Sequence, residues 1–284
     1  MTKLIALIDG SVYSESVCDH TAWLATRMKA SVEILHVLGR RSASSTQNLS
    51  GNIGLGARTT LLEELAESDA QIAKLAHKRG RAILEDASTR LTNAGVGGVT
   101  TALRNADIVE TVQEYEKDAD LIVIGKRGEA ADFAKLHLGS NIERVVRSSH
   151  RPILVTSRAF KPIEKVLIAF DGGPSVLKAI DHIAARGEQF AGLDFRLLSV
   201  GTELASTRQK LDAAAEKLRA AGYKADAQMV QGEPDKVIGK QAGEGEADML
   251  VMGAYGHSRI RTLIIGSTTT EMIRSVKIPV MLFR

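Results

Sequence analysis

The sequence predicts an α/β fold built twice in tandem, each copy a five-stranded parallel sheet flanked by helices. Three observations carry this. Short apolar runs alternate with longer helical patterns along the whole chain. Four of those runs recur in the second half in the same order. The runs are apolar throughout, not alternating, which marks strands covered on both faces.

The repeat is read by offset. Leu4 to Gly10 (LIALIDG) is answered by Val166 to Gly172 (VLIAFDG), 162 positions later. Val32 to Val37 is answered by Phe195 to Val200 at 163, and Ala119 to Gly125 (ADLIVIG) by Ala247 to Gly253 (ADMLVMG) at 128. Arg151 to Val155 is answered by Ile278 to Leu282 at 127. The offset falls by 35 between the second and third pairs, so the first copy carries an insertion of that size between Val37 and Val99. Its expected content is the Ser/Gly-rich stretch Ser42 to Gly56, read as a mobile loop, and part of the helical run behind it.

Helices are expected over Ser16 to Ala30, with Val17, Ala22, Trp23 and Leu24 as apolar candidates, and over Thr60 to Asn93, rich in Ala, Leu, Glu, Lys and Arg. Ser206 to Ala221 is the shorter counterpart of the latter, and Glu271 to Ser275 closes the second copy. The charged run Glu63 to Arg90 reads as a solvated helix face with modest i,i+4 pairs, a partner-binding helix being the other reading. The copies span 1–158 and 161–284. The link between them, Ser157 to Pro162, is too short for a free tether, so the copies should pack together.

A content of 44% hydrophobic and 25% charged residues suits a globular protein with a core in each half. Aromatics at 4% are too few for stacked-base recognition, and a net charge of +3 without a dense basic run does not ask for nucleic acid. The one cysteine, Cys18, rules out an intramolecular disulfide and reads as a small buried hydrophobe. Asp9 comes too early for a signal-peptide core, and no apolar run approaches the ~18 residues of a membrane helix. A cytoplasmic protein without a membrane partner is expected.

The chemistry concentrates after the fourth strand of copy two. Gly253-Ala254-Tyr255-Gly256 is followed by nine residues, then Gly266-Ser267-Thr268-Thr269-Thr270 and a helix. Glycines let backbone amides approach an anion, and Ser267 and Thr268 are expected to cap the helix, whose N-terminus favours negative charge. In an open α/β sheet this loop lies beyond the carboxyl ends of the strands, where ligands bind, and Asp171 should reach the same edge.

Gly-x2-Gly-x9-Gly-Ser/Thr after an apolar strand resembles the ATP-binding signature of the universal stress protein family. The Asp-Gly strand end, the strand ending Leu197-Leu198-Ser199-Val200, and Gly232-Glu233-Pro234 before a helix resemble that family too, and the likeness covers nearly the whole chain. It implies two fused, Rossmann-like domains of the adenine nucleotide alpha-hydrolase-like class. In ATP-binding members the aspartate after the first strand and the end of the second line the adenosine pocket, which maps to Asp171 and Val200. The loop and following hydroxyls hold ribose and phosphates, which maps to Gly253, Gly256, Gly266, Ser267 and Thr268. The resemblance implies ATP or AMP as ligand, with Mg²⁺ where it accompanies the phosphates.

Copy one departs from the pattern. Gly125-Lys126-Arg127-Gly128 is followed by ten residues before Gly139-Ser140-Asn141, and Arg104-Asn105-Ala106 stands where Gly-x-Pro is expected. Asp9, Val37, Gly125, Gly128, Gly139, Ser140 and Asn141 are its candidate positions, with Lys126 and Arg127 available to phosphate and Arg104 filling the space Gly232 leaves. One nucleotide per chain is therefore expected, in a cytoplasmic stress sensor or regulator. Other readings are a module on the same fold that takes a different small molecule or a protein, and a slow ATPase. His137 and His257 in the loops read as exposed or phosphate-contacting residues, and Arg259 and Arg261 as phosphate contacts or solvated residues. The apolar fifth strands Ile153-Leu154-Val155 and Val280-Met281-Leu282 resemble those that pair across domains in the family, giving a pseudo-two-fold dimer within one chain. Pairing of two chains into a homodimer is left open by the sequence.

Overall fold

The computed structural model describes residues 2–39, 55–128, 139–202, 204–243, 245–254 and 266–284, with backbone alone at 55–60 and 140. The first half runs β1 (Lys3–Leu7), α1 (Ser14–Met28), β2 (Ser31–Leu38), α2 (Leu55–Asn93), β3 (Val99–Asn105), α3 (Ile108–Tyr115), β4 (Leu121–Gly125), α4 (Ser140–Ser148) and β5 (Ile153–Thr156). The second runs β6 (Lys165–Ala169), α5 (Pro174–Ala184), β7 (Asp194–Val200), α6 (Ala205–Ala220), β8 (Lys224–Val230), α7 (Pro234–Gly243), β9 (Met249–Gly253), α8 (Ser267–Ser275) and β10 (Val280–Phe283).

Among the described residues, ten strands form one sheet in the order β3-β2-β1-β4-β5-β10-β9-β6-β7-β8. Strands within each half are parallel. The halves meet antiparallel, with Val155 opposite Val280 and Ile153 opposite Leu282. The carboxyl ends of the two half-sheets therefore face opposite ways.

Burial follows the two-residue period of the central strands. In β1, Leu4 and Ala6 face a core shared with α1, α2, α5 and α6, while Ile5 and Leu7 face one shared with α3, α4, α7 and α8. Leu4, Ile5, Ile122 and Ile168 are wholly buried, each such side chain contributing about 1.5–3 kcal/mol. Asp120 and Asp248, matched across the repeat, each accept a strand N–H: Lys3 N donates to Asp120 Oδ2 at 2.9 Å and Lys165 N to Asp248 Oδ2 at 2.9 Å. That fixes where β1 meets β4 and where β6 meets β9.

Several boundaries differ from the sequence expectation. The helix expected from Glu271 begins at Ser267, because the threonine run stays helical once Thr269 has a partner for its hydroxyl. α2 begins at Leu55 and takes in Gly56, so those residues of the expected mobile loop are helical; residues 42–54 of it lie outside the described residues. α2 has 39 residues against 16 in α6, so much of the insertion is helix. Trp23 is only partly buried, its ring lying 5.2 Å from the Arg27 guanidinium. Among the described residues no helix is long and apolar enough to cross a membrane.

Candidate functional site

The central strand of each half ends in an aspartate that folds the chain back. Asp171 Oδ1 accepts the Gly173 N–H at 2.8 Å, and Asp9 Oδ1 accepts the Ser11 N–H at 3.0 Å. The residue between, Gly172 or Gly10, has φ of +68° or +78°, a conformation that favours glycine. Val200 and Val37 stand at the ends of the neighbouring strands, opposite Val230 and Arg104.

Beside them, β9 ends at Gly253. Thr269 Oγ1 donates to the Gly253 carbonyl at 3.1 Å, and Gly266 N donates to the Ala254 carbonyl at 3.4 Å. These two bonds seat the first turn of α8 against the strand end. The helix is capped by Gly266 itself, with no side-chain cap. Ser267 and Thr268 are thus the first two helical residues, not the cap expected of them, and their N–H groups point out of the helix start. Gly256, His257, Arg259 and Arg261 lie outside the described residues. Thr269 was missed by sequence reasoning; the signal was its place in a threonine run, where one hydroxyl points inward.

The first half repeats this frame. Gly139 caps α4 with φ −57° and ψ 133°, against −58° and 145° at Gly266. A Cβ on Gly128 would stand 2.6 Å from Asp9 Oδ2, and one on Gly139 would stand 3.9 Å from Gly128 N, so these expected positions do come together. A Cβ on Gly125 would stand 2.9 Å from the Cβ of Tyr13. Asn141 is exposed; the Ser140 side chain and His137 lie outside the described residues.

Two expectations for the first half are corrected. Lys126 does not stand available to a phosphate as expected: its Nζ donates to the Val276 carbonyl, the C-cap of α8, at 2.7 Å. Burial, with Arg127 beside it, pushes its pKa down to about 8. A cation suits that end of the helix dipole. Arg104 does not fill the place of Gly232. It pairs with Val37 as Val230 pairs with Val200, so Ala106-Asp107-Ile108 is the true counterpart of Gly232-Glu233-Pro234. The Arg104 guanidinium lies 5.2 Å from the Tyr115 ring, with Glu114 3.9 Å away. Gly232 itself has φ +145°, and a Cβ there would stand 2.7 Å from Val237. In α2 the like-charged residues Glu63 and Glu67, and Lys74 and Lys78, lie four apart.

Cys18 is 2% exposed and burial pushes its thiol up to about 11, so it stays a protonated apolar group, as expected. His20 and His182 hold matched places on α1 and α5. His20 lies edge-on to Phe160 at 5.0 Å and His182 to Phe283 at 5.3 Å. Burial lowers the pKa of both, that of His182 to about 4.

The duplicated frame has known counterparts. The model of the universal stress protein family matches residues 1–157 and again 162–284. The chain belongs to the universal stress protein family. A curated universal stress protein of Synechocystis sp. is 35% identical over the full length of both chains. One from Methanocaldococcus jannaschii is 28% identical over 56% of this chain and 84% of its own. The crystal structure of a universal stress protein from Archaeoglobus fulgidus covers 99% of this chain and 96% of its own, with a TM-score of 0.71 at 20% identity, a likeness of fold. This tandem universal stress protein thus carries the family's frame twice, with its two glycine turns at opposite edges of one sheet.

Proposed function

We propose that this universal stress protein binds an adenine nucleotide, ATP or AMP, in its second half and acts as a cytoplasmic sensor or regulator in a stress response. The observation that carries the reading is the start of α8. A glycine cap, with no side-chain cap, sets the amides of Ser267 and Thr268 at the helix start beside the end of β9, next to the strand that Asp171 closes. Amides at a helix N-terminus, approached through glycine, are an anion site. On the family pattern Asp171 and Val200 line the adenosine, while Gly253, Gly256, Gly266, Ser267 and Thr268 hold ribose and phosphates, with Mg²⁺ where it accompanies them.

The first half keeps Asp9, Val37, Gly125, Gly128, Gly139, Ser140 and Asn141 but has committed Lys126 elsewhere. Its binding is the weaker of the two, so about one nucleotide binds per chain. Units of 1–158 and 161–284 then stand as a pseudo-dimer within one chain, supported by the antiparallel pairing of β5 with β10. Titration calorimetry with ATP and with AMP tests the reading. Saturable heat near one equivalent is expected; no heat and no thermal shift at millimolar nucleotide would overturn it.

A further inference from the structure

The last third of α2 is ordinary core helix: Leu84, Ala87 and Leu91 are buried against the sheet and α1. The part before it has nothing beneath it among the described residues. Every residue from 62 to 75 is exposed. That is four turns, about 21 Å, of helix standing clear of the other described elements. Helices of that length are marginal in water without an apolar face packed on something. This one carries such a face. Leu62 is 54% exposed, Leu65 41%, Ile72 49% and Leu75 66%, four of the seven large hydrophobics exposed among the described residues. Their spacing keeps them in one stripe along the helix.

The stripe reads the same in both directions. Leu62 and Leu75 are equidistant from the point between Ser68 and Asp69, and so are Leu65 and Ile72. The charges are not symmetric but complementary. Glu63, Glu64 and Glu67 precede that point; after Asp69, the residues Lys74, His77, Lys78, Arg79 and Arg81 follow it. Within one helix this segregation is unfavourable, since Glu63 lies four residues from Glu67 and Lys74 four from Lys78. An antiparallel neighbour of the same sequence reverses that, laying each acidic half along a basic half. A parallel neighbour makes it worse.

We infer that residues 62–75 of α2 form a self-complementary docking surface for α2 of a second copy of this chain, the two helices antiparallel about a two-fold beside Ser68 and Asp69. Leu65 of each copy packs on Ile72 of the other, and Leu62 and Leu75 lie at the same height at the two ends of the contact. Glu64 and Lys78 share one flank of the stripe, which faces the same flank of the second copy. The contact is isologous and closed. It is small beside the 20–30 residues a side of a standard interface, so the expected dissociation constant is on the order of 10 µM. The surface does not depend on nucleotide, so a negative calorimetric result leaves it standing.

Sedimentation equilibrium of the full chain tests it. A dimer mass is expected at about 100 µM and a monomer mass near 1 µM. The double variant Leu65→Glu/Ile72→Glu, at positions already exposed, should remain monomeric at both concentrations with unchanged circular dichroism. Lys78→Glu should weaken the dimer several-fold, and adding Glu64→Lys should restore it. Leu65→Cys combined with Ile72→Cys should cross-link two chains on mild oxidation. Either alone should not, because like positions lie about 10 Å apart along an antiparallel pair. A monomer at every concentration, a dimer that survives Leu65→Glu/Ile72→Glu, failure of the charge exchange to restore affinity, or single cysteines linking as readily as the pair would each overturn it.

Discussion

Set side by side, the two halves share strand order, aspartate turns and glycine-capped last helices, yet they differ where a ligand's phosphates would lie. After the third strand the second half has Gly232 at φ +145°, where the first has Ala106. After the fourth strand the second half has Ala254, buried and bonded to the Phe283 carbonyl, where the first has Lys126 extended to Val276. The comparison teaches that a duplicated site can keep its backbone while its side chains change employment. Lys126, standing where the second half has Ala254, caps the C-terminal end of α8 instead.

The largest effect that separates the halves is expected at the helix caps. Gly266→Val puts a branched side chain at the proposed anion site, and should weaken ATP binding by calorimetry about 100-fold or more. Gly139→Val should change it less than about threefold. Equal losses would make the first half a full partner in binding.

Next come the matched histidines. His20 is wholly buried, with Nδ1 2.7 Å from the Ser16 carbonyl; His182 is only half-buried. His20→Ala should cost about 2–4 kcal/mol in urea unfolding and His182→Ala about 1 kcal/mol. The pKa of His182 falls from 6.5 unfolded to about 4 folded. Its neutral form is therefore the folded one, and stability present above pH 6.5 should be lost as pH falls toward 4. That loss should shrink in His182→Phe.

The third-strand turn follows. Gly232→Ala meets both a strained φ and Val237, and should cost about 1–2 kcal/mol. The reciprocal Ala106→Gly should cost about 0.5–1 kcal/mol through chain entropy alone. The smallest effect is at Lys126. Its folded pKa of about 8 lies below its ordinary 10.5, so the unfolded chain holds more protons between those values. Stability should rise with pH across that window and be flat below it. The gain should be about 1 kcal/mol at most once solvent screening is counted, and Lys126→Met should abolish it.

Much of the architecture was legible, because apolar runs closed by Asp-Gly can form only a narrow class of strands and the repeat reported each twice. The glycine frame was legible too: Asp9, Gly128 and Gly139 meet as their spacing implied. What was not legible depended on partners distant in the chain. Lys126 finds Val276, 150 residues away, only because two helices and a seam place them together. Ala106 aligns with Gly232 by the register of β3 on β2, which no local pattern reveals, and counting back from Arg104 misplaced it by two. The cap of α8 was misassigned because Ser and Thr are the commoner caps, while Gly266 fits where the chain must stay open. The exposure of Leu62 to Leu75 required knowing where the sheet beneath α2 stops.

The seam between β5 and β10 has a consequence for assembly. Each is four buried residues long, and each occupies the hydrogen-bonding edge of the other. The edges left at the outside, β3 and β8, carry Arg104, Lys224 and Asp226 in exposed positions, charges that discourage a further strand from adding. Two separate chains joined only by such a seam would come apart on dilution. A six-residue link holds the local concentration of one half around the other at roughly millimolar or above, so this junction is indifferent to how much protein the cell makes.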